Sequence, residues 1–173
     1  MTIRKILTEP DPFLRHKSNN VEVVDDEVRK LMDDMLDTMY AAPGIGLAAI
    51  QVGIPKRIIV IDLSKEEEKR PLYFVNPKII LKSNSNATYE EGCLSVPGQF
   101  AEIDRPDNCH IKYLDYNNKQ QELKAEGLLA TCIQHEMDHL EGILFIDYLS
   151  KLKKNFIKKK LSKQKKSLER IVV

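Results

Sequence analysis

Apolar residues recur at helical spacing in three parts of the chain. The first part begins at Asp25, where acidic residues suit an N-terminal turn, and the second runs from Leu128 to Glu141, before Gly142. The third follows Ser150, and its spacing predicts one apolar side made of Leu152, Phe156, Ile157 and Leu161. The pattern therefore predicts an N-terminal helix, a central helix and a C-terminal helix.

The residues between the first two helices are rich in β-branched and aromatic types, which is typical of strands. A further strand is predicted to approach Cys93, and Pro97-Gly98 is expected to break it. The order of elements predicts an α+β domain, with mixed or antiparallel strands packed around the central helix. The other predicted strands are Arg57–Leu63, Leu72–Leu81, Cys109–Tyr116 and Gln120–Lys124.

Charge is distributed unevenly along the 173 residues, a length that fits one domain. Lys151–Val173 carries nine lysines, Arg170 and one acid, a net charge of +9, whereas the whole chain carries +1. Residues 1–150 therefore form an acidic body of net charge −8, and 151–173 form a basic helical tail of the same domain. Such a helix is either simply solvated or suited to binding phosphate backbones.

The remaining composition favours a cytoplasmic protein without a membrane segment. The N-terminus lacks the apolar run of a signal peptide, and no apolar stretch approaches the ~20 residues that cross a bilayer. Three cysteines without CxxC spacing argue against a disulfide framework and leave each thiol free for other chemistry.

The strongest chemical signal is the HExxH motif His135-Glu136-Met137-Asp138-His139. Residues four apart lie one above the other on a helix, so His135 and His139 can reach one ion. Glu136 is turned aside by the helical step, beside the ion, where it can move a proton. Two buried histidines and a glutamate need polar partners, and a metal supplies them.

A catalytic metal site needs a third protein ligand and an open position. His139 is the last histidine in the chain, and Glu141 lies too close in sequence to point back. Asp147 is one candidate, but it follows the helix end. Cys93 is the better candidate, because glycine and polar residues surround it in Glu90-Glu91-Gly92-Cys93-Leu94-Ser95.

A glycine-containing segment, Gly44-Ile45-Gly46-Leu47-Ala48-Ala49-Ile50-Gln51, is the third feature. Its glycines let the backbone approach a substrate closely, although alone they would indicate only a turn. Gln51 is either a surface amide or, near a metal, a donor to a developing oxyanion.

Taken in order, the segments Gly44–Gln51, Glu91–Ser95 and Gln134–His139 resemble the three motifs of bacterial-type peptide deformylases. The resemblance covers nearly the whole chain, including its length and C-terminal helix. It implies a cytoplasmic metal-dependent hydrolase that removes the formyl group from the N-terminal formyl-methionine of nascent polypeptides and releases formate. The body 1–150 would then be the catalytic deformylase domain.

The resemblance also implies roles for individual residues. One divalent ion, Fe2+ in the cell with Zn2+, Ni2+ or Co2+ as substitutes, would be held by Cys93, His135 and His139. A metal-bound hydroxide would attack the formyl carbon with Glu136 as general base and then acid, and Gln51 and the Leu94 N–H would hold the oxyanion. Substrate contacts are expected at Ile45, Gly46, Tyr89, Glu91, Gly92, Leu128, Thr131 and Cys132.

Further expectations accompany this interpretation. Glu91 and Arg105 match a family ion pair beside the metal strand, while Phe100 stands where many members have an arginine near the substrate entrance. The basic C-terminal helix is similar to one that docks on the ribosome near the nascent chain. The protein is expected to be a monomer.

Three alternatives compete with this interpretation. An HExxH zinc endopeptidase would need a downstream ligand, which the position of His139 disfavours. A non-catalytic ribosome- or RNA-binding protein with a structural metal would leave Glu136 idle. A cysteine enzyme with Cys93 as nucleophile would stay active without metal.

Overall fold

The computed structural model describes residues 2–64 and 68–171, with side chains in the last helix as far as residue 167. Single turns of 3₁₀-helix lie at Pro12–Arg15, Ala49–Val52 and Phe145–Tyr148. Residues 172 and 173 of the predicted tail lie outside the described residues. The helices and strands are α1 (Asp26–Ala41), β1 (Gly46–Ala48), β2 (Ile58–Ile61), β3 (Leu72–Lys82), β4 (Asn86–Cys93), β5 (Val96–Pro106), β6 (Asn108–Leu114), β7 (Gln120–Glu126), α2 (Gly127–Leu140) and α3 (Lys151–Ile171).

A five-stranded antiparallel sheet in the order β1-β2-β3-β6-β7 is covered by a helix on each face. Side chains alternate between its faces: Ile58 and Val60 pack with α1, whereas Ile59 and Ile61 pack with α2. All four residues of β2 are buried for this reason, which explains why its sequence is apolar without alternation. The Asp25 side chain caps α1 by accepting a hydrogen bond from Val28 N–H.

The second sheet is the antiparallel pair β4–β5, and α2 contacts both sheets. The helix that carries the HExxH motif is therefore central, as predicted, and the α+β class is confirmed. The predicted strands and the hairpin of β6 and β7 are confirmed as well. No helix in residues 2–64 and 68–171 is long and apolar enough to span a membrane.

The predicted break at Pro97-Gly98 is wrong. β4 ends at Cys93, and Pro97 and Gly98 lie inside β5. Gly92 pairs with Phe100 while Cys93 pairs with Val96, so three residues of β5 bulge out of the ladder at this point. A bulge tolerates the missing N–H of Pro97 and the left-handed φ of 69° at Gly98, so the strand continues through both residues.

The predicted single apolar side of α3 is also wrong. Ile157 and Leu161 are buried against β5 and the segment that follows α2, in a cluster with Val96, Ala101, Ile103, Leu144, Phe145 and Ile146. Leu152 and Phe156 are 84% and 67% exposed. The helix therefore docks through a strip narrower than its apolar pattern, and its outer side mixes lysines with two apolar residues.

Truncation of Leu161 is expected to destabilise the protein far more than truncation of Leu152, although both are leucines of one helix. Leu161→Ala should lower the free energy of unfolding by about 2–4 kcal/mol, because it leaves a cavity in a packed cluster. Leu152→Ala should change it by less than about 0.5 kcal/mol. Urea denaturation of both variants measures the difference, and equal losses would contradict the docking of α3.

Candidate active site and metal centre

The two histidines of the motif lie on the same side of α2. Their rings are 5.1 Å apart between centroids, and His139 is fully buried. Burial lowers the pKa of His139 well below its ordinary value, so that its imidazole is neutral and its nitrogens can act as ligands. The helix itself is fixed by apolar packing of Ile133 and Leu140 against the five-stranded sheet.

Cys93 completes the group of donors from the end of β4. Its Sγ lies 3.3 Å from Nε2 of His139, and the ligand atoms of Cys93, His135 and His139 lie within 4.8 Å of one another. One sulfur and two imidazole nitrogens suit a borderline or soft divalent cation, and three protein ligands leave a position open. The residues present therefore fit a catalytic metal ion.

The other candidate for a third ligand is engaged elsewhere. Asp147 forms ion pairs with Arg15 and Lys154 and accepts a hydrogen bond from Leu144 N–H. Glu141 pairs with Arg57 and Lys17. Neither Glu141 nor Asp147 is in the donor group, which disfavours the ligand arrangement of the endopeptidase alternative.

Glu91 fixes the orientation of His135. Its Oε2 lies 2.8 Å from Nδ1 of His135, and Arg105 donates to both of its carboxylate oxygens at 2.5 and 3.0 Å. Burial alone would raise the pKa of Glu91, but the hydrogen bonds from His135 and Arg105 outweigh it and lower that pKa. The charged carboxylate therefore holds Nδ1 and leaves Nε2 for the ion.

Glu136 is buried beside the donor group. It is 95% buried, and within the described part of the chain its Oε2 has no hydrogen-bond partner. Burial raises the pKa of its carboxyl to about 7, although the nearby His135 opposes this increase. A carboxyl with such a pKa can accept and release a proton near neutral pH.

The glycine segment forms β1 and the following 3₁₀ turn, neither of which the sequence predicted. A Cβ on Gly46 would overlap Oε1 of Glu136, so any larger residue at this position would force this buried carboxylate to shift. The carbonyl of Ile45 accepts a hydrogen bond from Asp62 N–H and is thus used within the sheet. Because antiparallel pairs alternate, the N–H and C=O of Gly46 point to the open edge beside the cavity.

Gln51 is held from both ends of its amide and is not a surface residue. Its Oε1 accepts from Ala48 N–H at 2.8 Å, which places Nε2 toward Ser95 Oγ at 3.0 Å and Cys93 Sγ at 3.6 Å. The residue is 99% buried. Leu94 lies in the turn between β4 and β5, next to this amide.

A cavity of about 440 Å³ connects these groups to solvent. Every predicted site residue lines it except His139, which lies behind the others; Tyr89, Glu91, Gly92, Leu128, Thr131 and Cys132 are among the lining residues. Burial raises the pKa of the Cys132 thiol to about 12, so this cysteine stays protonated. Lining residues not assigned to the site from the sequence are Pro43, Gly44, Glu90, Pro97, Gly98 and Phe100.

The unassigned lining residues had only weak sequence signals. Gly44 was part of the glycine segment, and a Cβ there would meet the side chain of Leu94. The sequence at Pro97 and Gly98 predicts a strand end, whereas both residues lie in the bulge of β5 and line the cavity. Phe100 departs from the family pattern, and its side chain, in a residue that is 63% exposed, covers Gly92 at the mouth of the cavity.

Comparisons with known proteins agree with this geometry. The family described as polypeptide deformylase matches residues 3–155. A peptide deformylase of Pelagibacter ubique is 68% identical over 174 residues and covers 100% of both chains, and one of Phenylobacterium zucineum is 61% identical over 96% of this chain and 99% of that relative. The crystal structure of peptide deformylase from Ehrlichia chaffeensis superimposes with a TM-score of 0.92 at 44% identity, covering 96% of this chain and 98% of that one.

Metal binding should depend on Cys93 and not on the other cysteine at the cavity. Cys93→Ala should weaken Co2+ affinity by more than about a hundredfold, since even partners outside a ligand set are worth ten- to a hundredfold. Cys132→Ala should keep one ion per chain, because its protonated thiol lies outside the donor group. Equilibrium dialysis with Co2+ measures both, and unchanged binding by Cys93→Ala would refute the ligand set.

Proposed function

The chain belongs to the polypeptide deformylase family of metal-dependent hydrolases, and we propose that it removes the formyl group from formyl-methionine at the start of nascent polypeptides, with Glu136 as general base and acid. One observation carries the proposal: Glu136, whose Oε2 is buried without a hydrogen-bond partner among the described residues, lines a cavity beside the donors of Cys93, His135 and His139. The products are formate and a free amino terminus.

The metal would be held by Cys93, His135 and His139, and we propose Fe2+ in the cell, with Zn2+, Ni2+ or Co2+ able to use the same ligands. When bound, such an ion supplies Lewis acidity, which polarises a carbonyl and makes water a stronger nucleophile at neutral pH. Asp147, the other ligand that the sequence allowed, is excluded from this set by its ion pairs.

Glu136 handles the proton in both halves of the reaction. With a carboxyl pKa of about 7, it accepts a proton from the attacking water and later returns it to the amine that leaves. The backbone of Gly46 passes directly against its carboxylate, so the proton carrier and the edge of β1 lie side by side. A formyl group is the smallest acyl group, and a larger acyl group would clash where the backbone of Gly46 lies against Glu136.

Gln51 and Leu94 are proposed to stabilise the oxyanion. The hydrogen bond from Ala48 N–H fixes the Gln51 amide so that Nε2 points toward the donor group. One of its hydrogens is used by Ser95, and the other faces only the weak acceptor Cys93 Sγ, which leaves it available to a substrate oxygen. The N–H of Leu94 would be the second donor. Loss of one such donor typically costs roughly 3 kcal/mol in transition-state stabilisation.

The peptide is proposed to lie along the open edge of β1. Gly46 offers its N–H and C=O there, while the carbonyl of Ile45 is used by Asp62 and the side chain of Ile45 lies exposed at the mouth. Glu91 and Gly92 border the opposite side, although the carboxylate of Glu91 is bound by His135 and Arg105. The methionine side chain would enter the part of the cavity lined by Tyr89, Leu128, Thr131 and Cys132.

Formate release from formyl-Met-Ala-Ser tests the reaction. Metal-loaded wild type should release formate, a chelated sample should not, and Glu136→Gln should be slower by about 10²- to 10⁴-fold because it cannot carry a proton. Glu126→Gln, an exposed glutamate before α2, is the matched control and should keep wild-type rates. Metal content is measured in every sample, so that loss of the ion is not mistaken for loss of the base.

The outcomes also separate the alternatives. Cleavage inside the peptide would favour an endopeptidase, and activity that survives chelation would favour Cys93 as a nucleophile. Wild-type rates of formate release in Glu136→Gln would contradict the role of Glu136 as proton carrier. No formate release from metal-loaded wild type would favour a non-catalytic metal protein.

We further propose that the exposed lysines of α3 bring the enzyme to the ribosome in the cytoplasm, where cysteine thiols stay reduced. The docked side of α3 uses Lys154 and Lys158 in ion pairs with Asp147 and Glu9. The outer lysines remain exposed to attract phosphate groups: Lys151, Lys153, Lys159, Lys160, Lys163, Lys165 and Lys166. The monomeric state and the division at residue 150 stay predictions.

Charge reversal on the outer side of α3 tests this proposal better than deletion, because deletion would also remove Ile157 and Leu161 from their cluster. Lys159→Glu, Lys160→Glu and Lys163→Glu together should reduce co-sedimentation with ribosomes and leave formate release from short peptides unchanged. The control carries the same charge change on the body, at Lys82, Lys119 and Lys124. Equal co-sedimentation of the two variants with ribosomes would contradict the proposed role of the α3 lysines.

A further inference from the structure

His135 depends on a chain of contacts that extends beyond Glu91. Its Nδ1 lies 2.8 Å from Oε2 of Glu91, and this contact fixes the plane of the ring. The position of Nε2, the atom left for an ion, therefore follows the position of the Glu91 carboxylate. Anything that holds this carboxylate also holds the ligand.

Arg105 grips the Glu91 carboxylate and is itself held by a third contact. Nε and Nη2 bind the two oxygens of Glu91, and Nη1 donates to Oδ2 of Asp138 at 2.8 Å. The side chains of Arg105 and Glu91 are each about 5% exposed, so the surrounding atoms prevent the Glu91 carboxylate from rotating. Without Asp138, one end of the buried guanidinium would lose its partner.

Asp138 lies on α2, directly before His139, so the contacts form a closed ring. The ring runs from α2 through Glu91 on β4 and Arg105 on β5, and returns to α2. It fixes the sheet that carries Cys93 against the helix that carries both histidines. The relative placement of all three ligands is thus determined within one network.

Tyr148 adds the outermost contact of this network. Its hydroxyl donates to Oδ2 of Asp138 at 2.8 Å, and its ring lies under Arg105, with the guanidinium carbon 4.9 Å from the ring centroid. Its side chain is 52% exposed, yet it contacts both charged groups of the pair. Within the described residues, neither Tyr148 nor Asp138 is among those that line the cavity.

We propose that Asp138 and Tyr148 are positioning residues for His135, acting through Arg105 and Glu91 to hold the three ligands in the geometry that retains the ion. This role rests on the proposed function only in assigning the metal to Cys93, His135 and His139. It predicts that loss of the Tyr148 hydroxyl changes how the metal is held and leaves substrate binding unchanged.

The test uses the Co2+-loaded protein and follows transfer of the ion to excess chelator. Tyr148→Phe should release Co2+ several-fold faster than wild type, and Asp138→Asn about ten- to a hundredfold faster, as for other partners of metal ligands. The visible absorption of bound Co2+ should change in both variants. With a formyl-methionine peptide, kcat should fall while KM stays at the wild-type value.

Tyr116→Phe is the matched control. Its hydroxyl donates to Asp33 at 3.0 Å on α1, the same kind of tyrosine–aspartate bond on an element outside the network. It should lose about as much thermal stability as Tyr148→Phe and show wild-type Co2+ release and absorption. Wild-type Co2+ release and absorption in Tyr148→Phe and Asp138→Asn would overturn the proposal.

The two hypotheses fail in different ways. If wild type binds Co2+ but releases no formate, the proposed function fails, while Co2+ release still measures the network. If Tyr148→Phe and Asp138→Asn match wild type in Co2+ release, absorption and kcat while formate release is normal, only the positioning role fails.

Discussion

The geometry and charge states of the candidate site depend on the burial of three ionisable side chains within one helix. α2 is enclosed between two sheets, where an unpaired charge costs far more than in water. His135 is held by Glu91, His139 is neutral beside Cys93, and Glu136 keeps a pKa near 7 because its charged form is destabilised by burial. The same desolvation that opposes folding therefore leaves one neutral imidazole, one imidazole oriented by a carboxylate, and a carboxyl with a pKa near neutral pH.

This burial requires close approach from segments distant in sequence. β1 passes directly against Glu136 at Gly46, where a side chain would displace the carboxylate, and β4 ends at Cys93, where the register with β5 shifts at the bulge. Arg105 then ties the two-stranded sheet to α2 through Glu91 and Asp138. The contacts that hold the two-stranded sheet against α2 are therefore the same contacts that align the candidate ligands. Most of the side chains that make these contacts are charged.

The sequence was informative where a local pattern determines the structure. The long helices, the central strands and the HExxH pair follow from periodicity and spacing, and three motifs in order indicated which segments meet. The other features depend on strand pairing, which the sequence does not show. The sequence at Pro97 and Gly98 fits the end of a strand as well as a bulge inside one, and only the pairing of β5 with β4 distinguishes the two. Likewise, Asp138 reads as an ordinary polar position of a helix, and its bonds to Arg105 and Tyr148 require the tertiary structure.

The C-terminal helix shows why charge and packing have to be read together. Its sequence indicated a basic helix with one apolar side, either solvated or suited to phosphate backbones. In the structure, Ile157 and Leu161 share a cluster with Val96 and Ala101 of β5, the strand that pairs with β4, which carries Cys93. Lys154 and Lys158 bind acids of the body, so the docked side is neutralised while the outer side keeps its positive charge. A helix that supports the sheet of the site on one side and presents lysines on the other cannot be removed to study either role alone.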